Sequence, residues 1–176
     1  LKSGCLTLGE QTLKFEKKFS KYIGAKHATA VSNGTSGLHM AVRALGINDG
    51  DEVITTPFSF IASVNCLLYE RAKPIFVDID EKTLNINPNQ IEKAISNKTR
   101  AILTVDTFGT PSDADKINAI SKKYDLNVIG DCCESLGSSY RNKMTGSFYD
   151  ISVFGFFPNK QITTGEGGMV VTNSES

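Results

Sequence analysis

The sequence has little histidine and no cysteines at metal-binding spacing. His27 and His39 are the two histidines, and the four cysteines, among them the adjacent Cys132 and Cys133, form no C-x-x-C. Neighbouring cysteines do not easily bridge to each other, and zinc or redox sites have characteristic cysteine spacings. We therefore expect no metal site, and reduced thiols in a cytoplasmic protein.

The chain also lacks a long apolar run and a basic block. Its 19 Lys and Arg residues balance 19 Asp and Glu residues. A membrane-spanning helix needs about 20 apolar residues, and a nucleic-acid surface is usually a basic patch. The first ten residues, LKSGCLTLGE, have no apolar core of a signal peptide. We expect neither a membrane nor a nucleic acid as partner.

Helical and strand-like segments alternate along the 176 residues, of which 40% are apolar. Such a length suffices for one well-packed domain. The alternation predicts an α/β fold of three layers, with a mostly parallel sheet and helices on both faces. The periodicity predicts helices at 10–23, 35–45, 59–70, 88–96 and 112–124, the last capped by Ser112, and strands at 27–32, 53–56, 74–78, 100–105, 128–131, 151–156 and 168–172.

The turn Ser32-Asn33-Gly34-Thr35-Ser36 joins a predicted strand to a predicted helix. Free N–H groups and the positive end of the helix dipole would face outward there, beside two hydroxyls, which is an anion-binding arrangement. Ordinary helix capping by a serine or threonine is the alternative. The turn has neither the GK[ST] of a P-loop nor the pattern GxGxxG.

Lys160 lies in the run FGFFPNKQITTGEGG, residues 154–168. Aromatic residues precede it, and partial burial among them would free its amine as a nucleophile. The glycines that follow permit close approach of the backbone to a ligand, and the role of Glu166 among them is open. The alternative for Lys160 is an exposed surface charge.

Asp131 ends an apolar strand, where a carboxylate is costly unless it is paired. The alternatives are a helix cap or a loop residue. Glu134, three residues later, is either a ligand contact or an exposed loop acid. Phe60 follows another strand, at the end where open α/β sheets bind ligands, and could stack on a flat ring. Phe58 competes for that role, and a core position is the alternative for both.

A reactive amine, an acid and a phosphate cradle together are what pyridoxal phosphate (PLP) requires. The amine forms a Schiff base, the acid keeps the pyridine nitrogen protonated, and the turn anchors the phosphate. Each signal is weak alone, and their order along the chain favours this cofactor.

With these residues identified, nearly the whole chain resembles the DegT/DnrJ/EryC1/StrS family of sugar aminotransferases, PLP-dependent enzymes of fold type I. Four segments match in order and spacing: SNGTSGLHMA (32–41), VITTPFSFIAS (53–63), GDCCESLG (130–137) and FFPNKQITTGEGG (156–168). The resemblance implies that Lys160 is the Schiff-base lysine and Asp131 the partner of the pyridine nitrogen. It also implies a set of further cofactor contacts, namely the phosphate-binding turn Gly34-Thr35-Ser36, the stacking Phe60, Glu134 near the ring hydroxyl, and Gly155.

The chain departs from the family pattern at three points. Gly155 stands where many members have a phosphate-binding serine, so the phosphate would either lose a hydroxyl contact or gain a backbone N–H in its place. Asp106 stands where many members have histidine. Family members are also much longer, so residues 1–176 are expected to be a truncated PLP-binding large domain without the small C-terminal domain.

By resemblance, the expected reaction transfers an amino group from L-glutamate to a keto sugar. The favoured acceptor is a nucleotide-linked 4-keto-6-deoxyhexose used for polysaccharide or glycoside synthesis, and the expected assembly is a homodimer with a shared active site. Some relatives carry histidine in place of the lysine and act as dehydratases, which Lys160 disfavours. The alternatives are a PLP-binding but inactive or regulatory relative, and a dinucleotide-binding module, which the absent GxGxxG disfavours.

Overall fold

Seven strands form one sheet in the order β1-β9-β8-β5-β4-β2-β3. The computed structural model describes residue 4 and residues 9–175, so Cys5 lies outside the described residues. The strands are β1 (His27–Val31), β2 (Glu52–Thr55), β3 (Lys73–Phe76), β4 (Thr99–Val105), β5 (Asn127–Asp131), β8 (Ile151–Gly155) and β9 (Gly168–Thr172). A separate two-stranded hairpin consists of β6 (Ser139–Tyr140) and β7 (Lys143–Met144).

Strand β9 runs opposite to the other six strands of this sheet. It pairs antiparallel with both β1 and β8, so these two point the same way, and β8, β5, β4, β2 and β3 pair in parallel. The carboxyl ends of six strands therefore meet at one edge, where ligands of open α/β sheets bind. The predicted mostly parallel sheet is confirmed.

Helices cover both faces of the sheet, as predicted. The helices are α1 (Glu10–Ile23), α2 (Gly34–Ala44), α3 (Ala62–Tyr69), α4 (Pro88–Ala94) and α5 (Ala114–Tyr124). Adjacent strand residues face opposite layers: Leu103 packs in a cluster with residues of α2 and α3, and Ile102 in a cluster with residues of α4 and α5. Phe19 and Ile23 of α1 pack with Phe154 on a third apolar cluster.

Two local predictions were wrong. Helix α5 is capped by Asp113, whose side chain accepts from the N–H of Lys116, and not by Ser112. The Ser112 hydroxyl instead donates to the backbone oxygen of Val105. Helix α3 begins at Ala62 rather than at residue 59, so the segment between β2 and α3 is a loop at the carboxyl edge. In the described part of the chain, no helix is long and apolar enough to cross a membrane.

Candidate functional site

A cavity of about 610 Å³ opens at the carboxyl edge of the sheet. Segments that follow β1, β2, β4, β5 and β8 line it, because these strands end at the same edge. It collects seven of the eight residues that the sequence selected: Gly34, Thr35, Phe60, Asp131, Glu134, Gly155 and Lys160. Ser36 is not among the residues that line the cavity.

The first turn of α2 explains the different position of Ser36. The side chain of Asn33 caps the helix and accepts the Ser36 N–H at 2.9 Å. The Ser36 hydroxyl oxygen accepts the hydroxyl of Ser32 at 3.0 Å. Both polar groups of Ser36 are therefore used locally, while Gly34 and Thr35 line the cavity.

Gly34 allows α2 to approach the neighbouring strands. A β-carbon at position 34 would lie 2.8 Å from Sγ of Cys133, closer than real contacts of this kind. At position 155 a β-carbon would lie 3.4 Å from the same sulfur, at the short end of ordinary van der Waals contact. Cys133 thus fills the space between the start of α2 and the end of β8.

Lys160 and Glu134 form an ion pair within the cavity. Nζ of Lys160 lies 3.4 Å from Oε1 of Glu134, and the lysine side chain is only 19% exposed. The other carboxylate oxygen of Glu134 accepts the N–H of Phe108 at 3.0 Å. Phe108 adopts the left-handed conformation, with φ 50° and ψ 30°, which is costly for a residue other than glycine and is found most often at functional sites.

Asp131 is held by two donors, one on each carboxylate oxygen. The N–H of Cys133 donates to Oδ1 at 3.2 Å, and the hydroxyl of Ser63 donates to Oδ2 at 2.6 Å. The residue is 6% exposed and lines the cavity. Sequence reasoning missed Ser63, because it lies in the first turn of α3 and no local pattern relates it to a residue of β5.

Asp106, whose role the sequence left open, lies below the cavity and is fully buried. Its Oδ1 accepts the N–H of Ser112 at 2.9 Å, and its Oδ2 accepts the hydroxyls of Ser135, at 3.1 Å, and of Thr145. Burial raises the pKa of this carboxyl above its ordinary value. Because it does not line the cavity, we assign Asp106 to the packing between β4, the segment after β5 and the hairpin.

Exposed aromatic side chains surround the cavity mouth. Phe60 is 74% exposed, whereas Phe58 packs edge-to-face with Phe108 at a centroid distance of 6.2 Å. Both candidates for a stacking ring thus line the cavity, and Phe60 has the freer face.

Thr107 is a second residue that sequence reasoning missed, and it lines the cavity. It directly follows Asp106 after β4, and the rule that selected Asp131, a polar residue at the carboxyl end of a strand, would have found it. Its Oγ1 is buried without a hydrogen-bond partner among the described residues. An unpaired buried hydroxyl in a cavity wall is available to a ligand.

A family model for DegT/DnrJ/EryC1/StrS aminotransferases matches residues 1–176. The chain belongs to this family. Membership in this family argues against a dinucleotide-binding module, an alternative that rested on α/β alternation alone. It agrees with the sheet topology described above.

Relatives of known sequence and structure agree with this assignment. The chain is 51% identical over 168 residues to GDP-perosamine synthase of Escherichia coli O157:H7, a match that covers 96% of this chain and 46% of that protein. Helicobacter pylori PseC, an aminotransferase involved in pseudoaminic acid biosynthesis, superposes with a TM-score of 0.95 at 39% identity, over 99% of this chain and 47% of its own.

A third relative has a different activity. GDP-4-keto-6-deoxy-D-mannose-3-dehydratase of E. coli, solved with bound hydrated PLP, superposes with a TM-score of 0.93 at 35% identity, over 99% of this chain and 46% of its own. The chain therefore spans just under half the length of these family members. Aminotransferases and a dehydratase share this fold, so the fold alone does not distinguish the two activities.

Proposed function

We propose that this chain is the PLP-binding domain of a sugar aminotransferase. The donor is L-glutamate and the acceptor a keto sugar, favoured as a nucleotide-linked 4-keto-6-deoxyhexose for polysaccharide or glycoside synthesis. The observation that carries the proposal is that Lys160 and Asp131 line one cavity together with the first turn of α2.

The start of α2 suits the phosphate group of PLP. The first N–H groups of a helix have no partner within it and carry partial positive charge, and Gly34 and Thr35 line the cavity at this point. A β-carbon at Gly34 would meet Cys133, so the cradle depends on glycine. At Gly155 the backbone itself can approach the phosphate, at the position where many family members have a serine hydroxyl.

Other residues of the cavity suit the pyridine ring. Asp131 offers a carboxylate that two donors hold in place, and a carboxylate paired with a pyridinium N–H stabilises it by a charge-assisted hydrogen bond. Phe60 or Phe58 supplies a stacking face. Lys160 is partly buried, which suits an amine that reacts with a carbonyl carbon.

PLP supplies an aldehyde that takes up amino groups and a ring that draws electrons from the carbon next to nitrogen. Nζ of Lys160 would take the proton from the donor's α-carbon as a base and then, as an acid, deliver it to the former aldehyde carbon of the cofactor and not back to the α-carbon. The Asp131 carboxylate keeps a proton on the ring nitrogen. Glu134 orients Lys160 through their 3.4 Å contact. The second half of the reaction uses the same residues in reverse order.

Lys160 favours an aminotransferase over a dehydratase, since the family resemblance associates dehydration with histidine at this position. A specific observation supports a second candidate, a PLP-binding but inactive or regulatory domain. The chain spans only 46% of GDP-perosamine synthase, and the residues that complete a substrate site can lie in the unmatched part.

The proposal extends to assembly and location. We propose a homodimer with a shared active site, which the exposed rings of Phe60, Phe108 and Phe157 at the cavity mouth support as an apolar contact surface. We propose a cytoplasmic location, supported by the free thiols of Cys66, Cys132 and Cys133. We also propose that residues 1–176 are one domain of a longer protein.

The test begins with covalent trapping. The 176-residue chain is mixed with PLP, reduced with borohydride and digested, and mass spectrometry locates the pyridoxyl group. A group on Lys160 of the wild type and of Lys122→Ala, an exposed lysine of α5 used as control, supports the proposal. Labelling of other lysines with an unmodified Lys160 would contradict it.

Turnover then separates the two candidates. The protein is incubated with PLP, L-glutamate and a panel of GDP- and UDP-linked 4-keto sugars, and 2-oxoglutarate and amino sugar are measured. An aminotransferase forms both in equal amounts. Trapping at Lys160 without either product from L-glutamate and any acceptor of the panel would favour the inactive domain.

A further inference from the structure

Ser63 connects the first turn of α3 to the carboxylate at the end of β5. Its hydroxyl oxygen lies 2.6 Å from Oδ2 of Asp131 and 2.6 Å from the hydroxyl oxygen of Ser59. Ser63 is fully buried, whereas Ser59 is partly buried and lines the cavity. The three side chains form a short path of hydrogen bonds behind the cavity wall.

The direction of these hydrogen bonds is fixed by the acceptor at one end. An ionised carboxylate has no proton to donate, so Ser63 must donate its only hydroxyl proton to Asp131. Ser63 then accepts from Ser59, which must be the donor in their contact. A hydroxyl that accepts a hydrogen bond becomes a better donor, so Ser59 strengthens the bond from Ser63 to Asp131.

The second donor completes the geometry. The N–H of Cys133 donates to Oδ1 of Asp131 at 3.2 Å, and Ser63 donates to Oδ2. The terminal torsion of an aspartate is otherwise broad, so a single donor would leave the carboxylate free to turn. Two donors on different oxygens fix its plane, and the remaining lone pairs are left for a partner in the cavity.

The negative charge of Asp131 also affects a second residue of α3, Cys66. Burial, with Asp131 as the next cause, raises the pKa of the Cys66 thiol to about 12. Cys66 lies one turn after Ser63 and its thiol donates to the Ser63 backbone oxygen at 3.4 Å. Ser63, by contrast, offers the Asp131 carboxylate a favourable contact.

We infer that Ser63 is a positioning residue for the proposed reaction, which fixes the Asp131 carboxylate toward the ring nitrogen of the cofactor and is itself polarised by Ser59. This inference rests on the proposed function. Loss of the Ser63 hydroxyl should weaken the pairing of Asp131 with a protonated ring nitrogen while leaving Lys160 and the phosphate cradle intact.

The experiment uses PLP labelled with ¹⁵N in the ring, whose chemical shift reports the protonation of that nitrogen. We expect a protonated nitrogen from pH 6 to pH 9 in the wild type. In Ser63→Ala we expect an unprotonated fraction that grows with pH, and a kcat about 10- to 100-fold lower, the factor of a hydrogen bond to a charged group. Ser63→Thr keeps the hydroxyl and should restore both values.

Ser121→Ala is the matched control. Ser121 is a buried helical serine, and its hydroxyl donates to the backbone oxygen of Asn118, three residues earlier. It lies on α5, outside the cavity lining. This variant should keep the wild-type ¹⁵N shift at every pH, even where its melting temperature falls.

The outcomes separate the inference from the proposed function. If the wild type does not hold PLP on Lys160 after borohydride trapping, both are overturned. If the wild type holds it and Ser63→Ala has the same ¹⁵N shift at every pH, the inference alone is overturned. Should Ser63→Ala not fold, Ser59→Ala decides: a smaller change in the same direction supports the inference, and an unchanged shift overturns it.

Discussion

Nζ of Lys160 lies 3.4 Å from Oε1 of Glu134, while Oε2 of the same carboxylate accepts the N–H of Phe108. One side chain therefore connects the candidate reactive amine to the strained turn after β4. The contact couples the position of Lys160 to a loop at the cavity mouth, and it makes Glu134 more than the exposed loop acid that was its alternative in the sequence.

Two substitutions of Glu134 should separate its contact with Lys160 from its contact with the N–H of Phe108. Glu134→Gln keeps an oxygen for the Phe108 N–H but loses the charge that faces Lys160, so we expect a moderate fall in kcat, about threefold. Glu134→Ala loses both contacts, and we expect kcat to fall about 10-fold or more, in line with a hydrogen bond to a charged group. Steady-state kinetics with L-glutamate as donor measures this, and equal losses in both variants would contradict it.

Lys160→Ala should abolish turnover and covalent trapping. The cradle at Gly34 and the carboxylate of Asp131 remain, so we expect PLP to bind non-covalently with reduced affinity. Absorbance titration measures binding, and product formation under multiple-turnover conditions measures activity. Sustained turnover by this variant would remove Lys160 from its assigned role.

Asp131→Asn should keep the fold and lose most of the rate. The amide has almost the same size, but it carries no negative charge to stabilise a pyridinium, so we expect kcat to fall about 100-fold or more, comparable to the loss of another electrostatic contact in an active site. Stopped-flow and steady-state assays measure the rate, and thermal unfolding checks the fold. An unchanged kcat would exclude Asp131 from the mechanism.

Gly34→Ala should destabilise the protein through Cys133. The added β-carbon would lie 2.8 Å from the Cys133 sulfur, and overpacking of this kind costs about 1–3 kcal/mol. Cys133→Ala removes the sulfur, so the double variant should recover most of the free energy of unfolding. Chemical denaturation measures all three, with Cys133→Ala as control. A double variant as unstable as Gly34→Ala would contradict this cause.

The cysteines should resist modification near neutral pH. Burial first, and nearby carboxylates next, raise the pKa of the Cys132 and Cys133 thiols well above the ordinary value, and the thiolate is the reactive form. Iodoacetamide labelling of both should therefore stay slow at pH 8 and still accelerate above pH 9. Peptide mapping assigns each label, and a rate that levels off near the ordinary pKa would refute the shift.

The raised pKa values of the Cys132 and Cys133 thiols also determine whether the protein becomes more or less stable as the pH rises. At high pH the thiols of the unfolded chain lose protons above about 8.5, whereas the folded thiols remain protonated. The unfolded state then binds fewer protons, so the free energy of unfolding falls as pH rises through that range. Denaturation curves between pH 7 and pH 10 measure this part of the same prediction.

Local patterns predicted much of the fold and most of the site. Asp131 and Lys160 each follow an apolar strand, and parallel strands end at one edge, so their convergence follows from alternation alone. The contact of Ser63 with Asp131 could not be predicted, because it joins residues 68 positions apart and depends on how α3 packs. The capping residue of α2 could not be predicted either. Its cap is Asn33, which accepts the Ser36 N–H, whereas the sequence suggested a serine or a threonine, and all three residue types are favoured at this position.

The reversed strand β9 has a consequence for the segment that carries Lys160. Gly155 and Gly168 are cross-strand partners, and the N–H of Phe156 donates to the backbone oxygen of Gly167 at 2.9 Å. Residues 156–167 thus form a loop whose two ends pair with each other at the end of the β8–β9 strand pair. A single cut by a protease between these ends would therefore leave both fragments bound to the sheet, one through β8 and the other through β9.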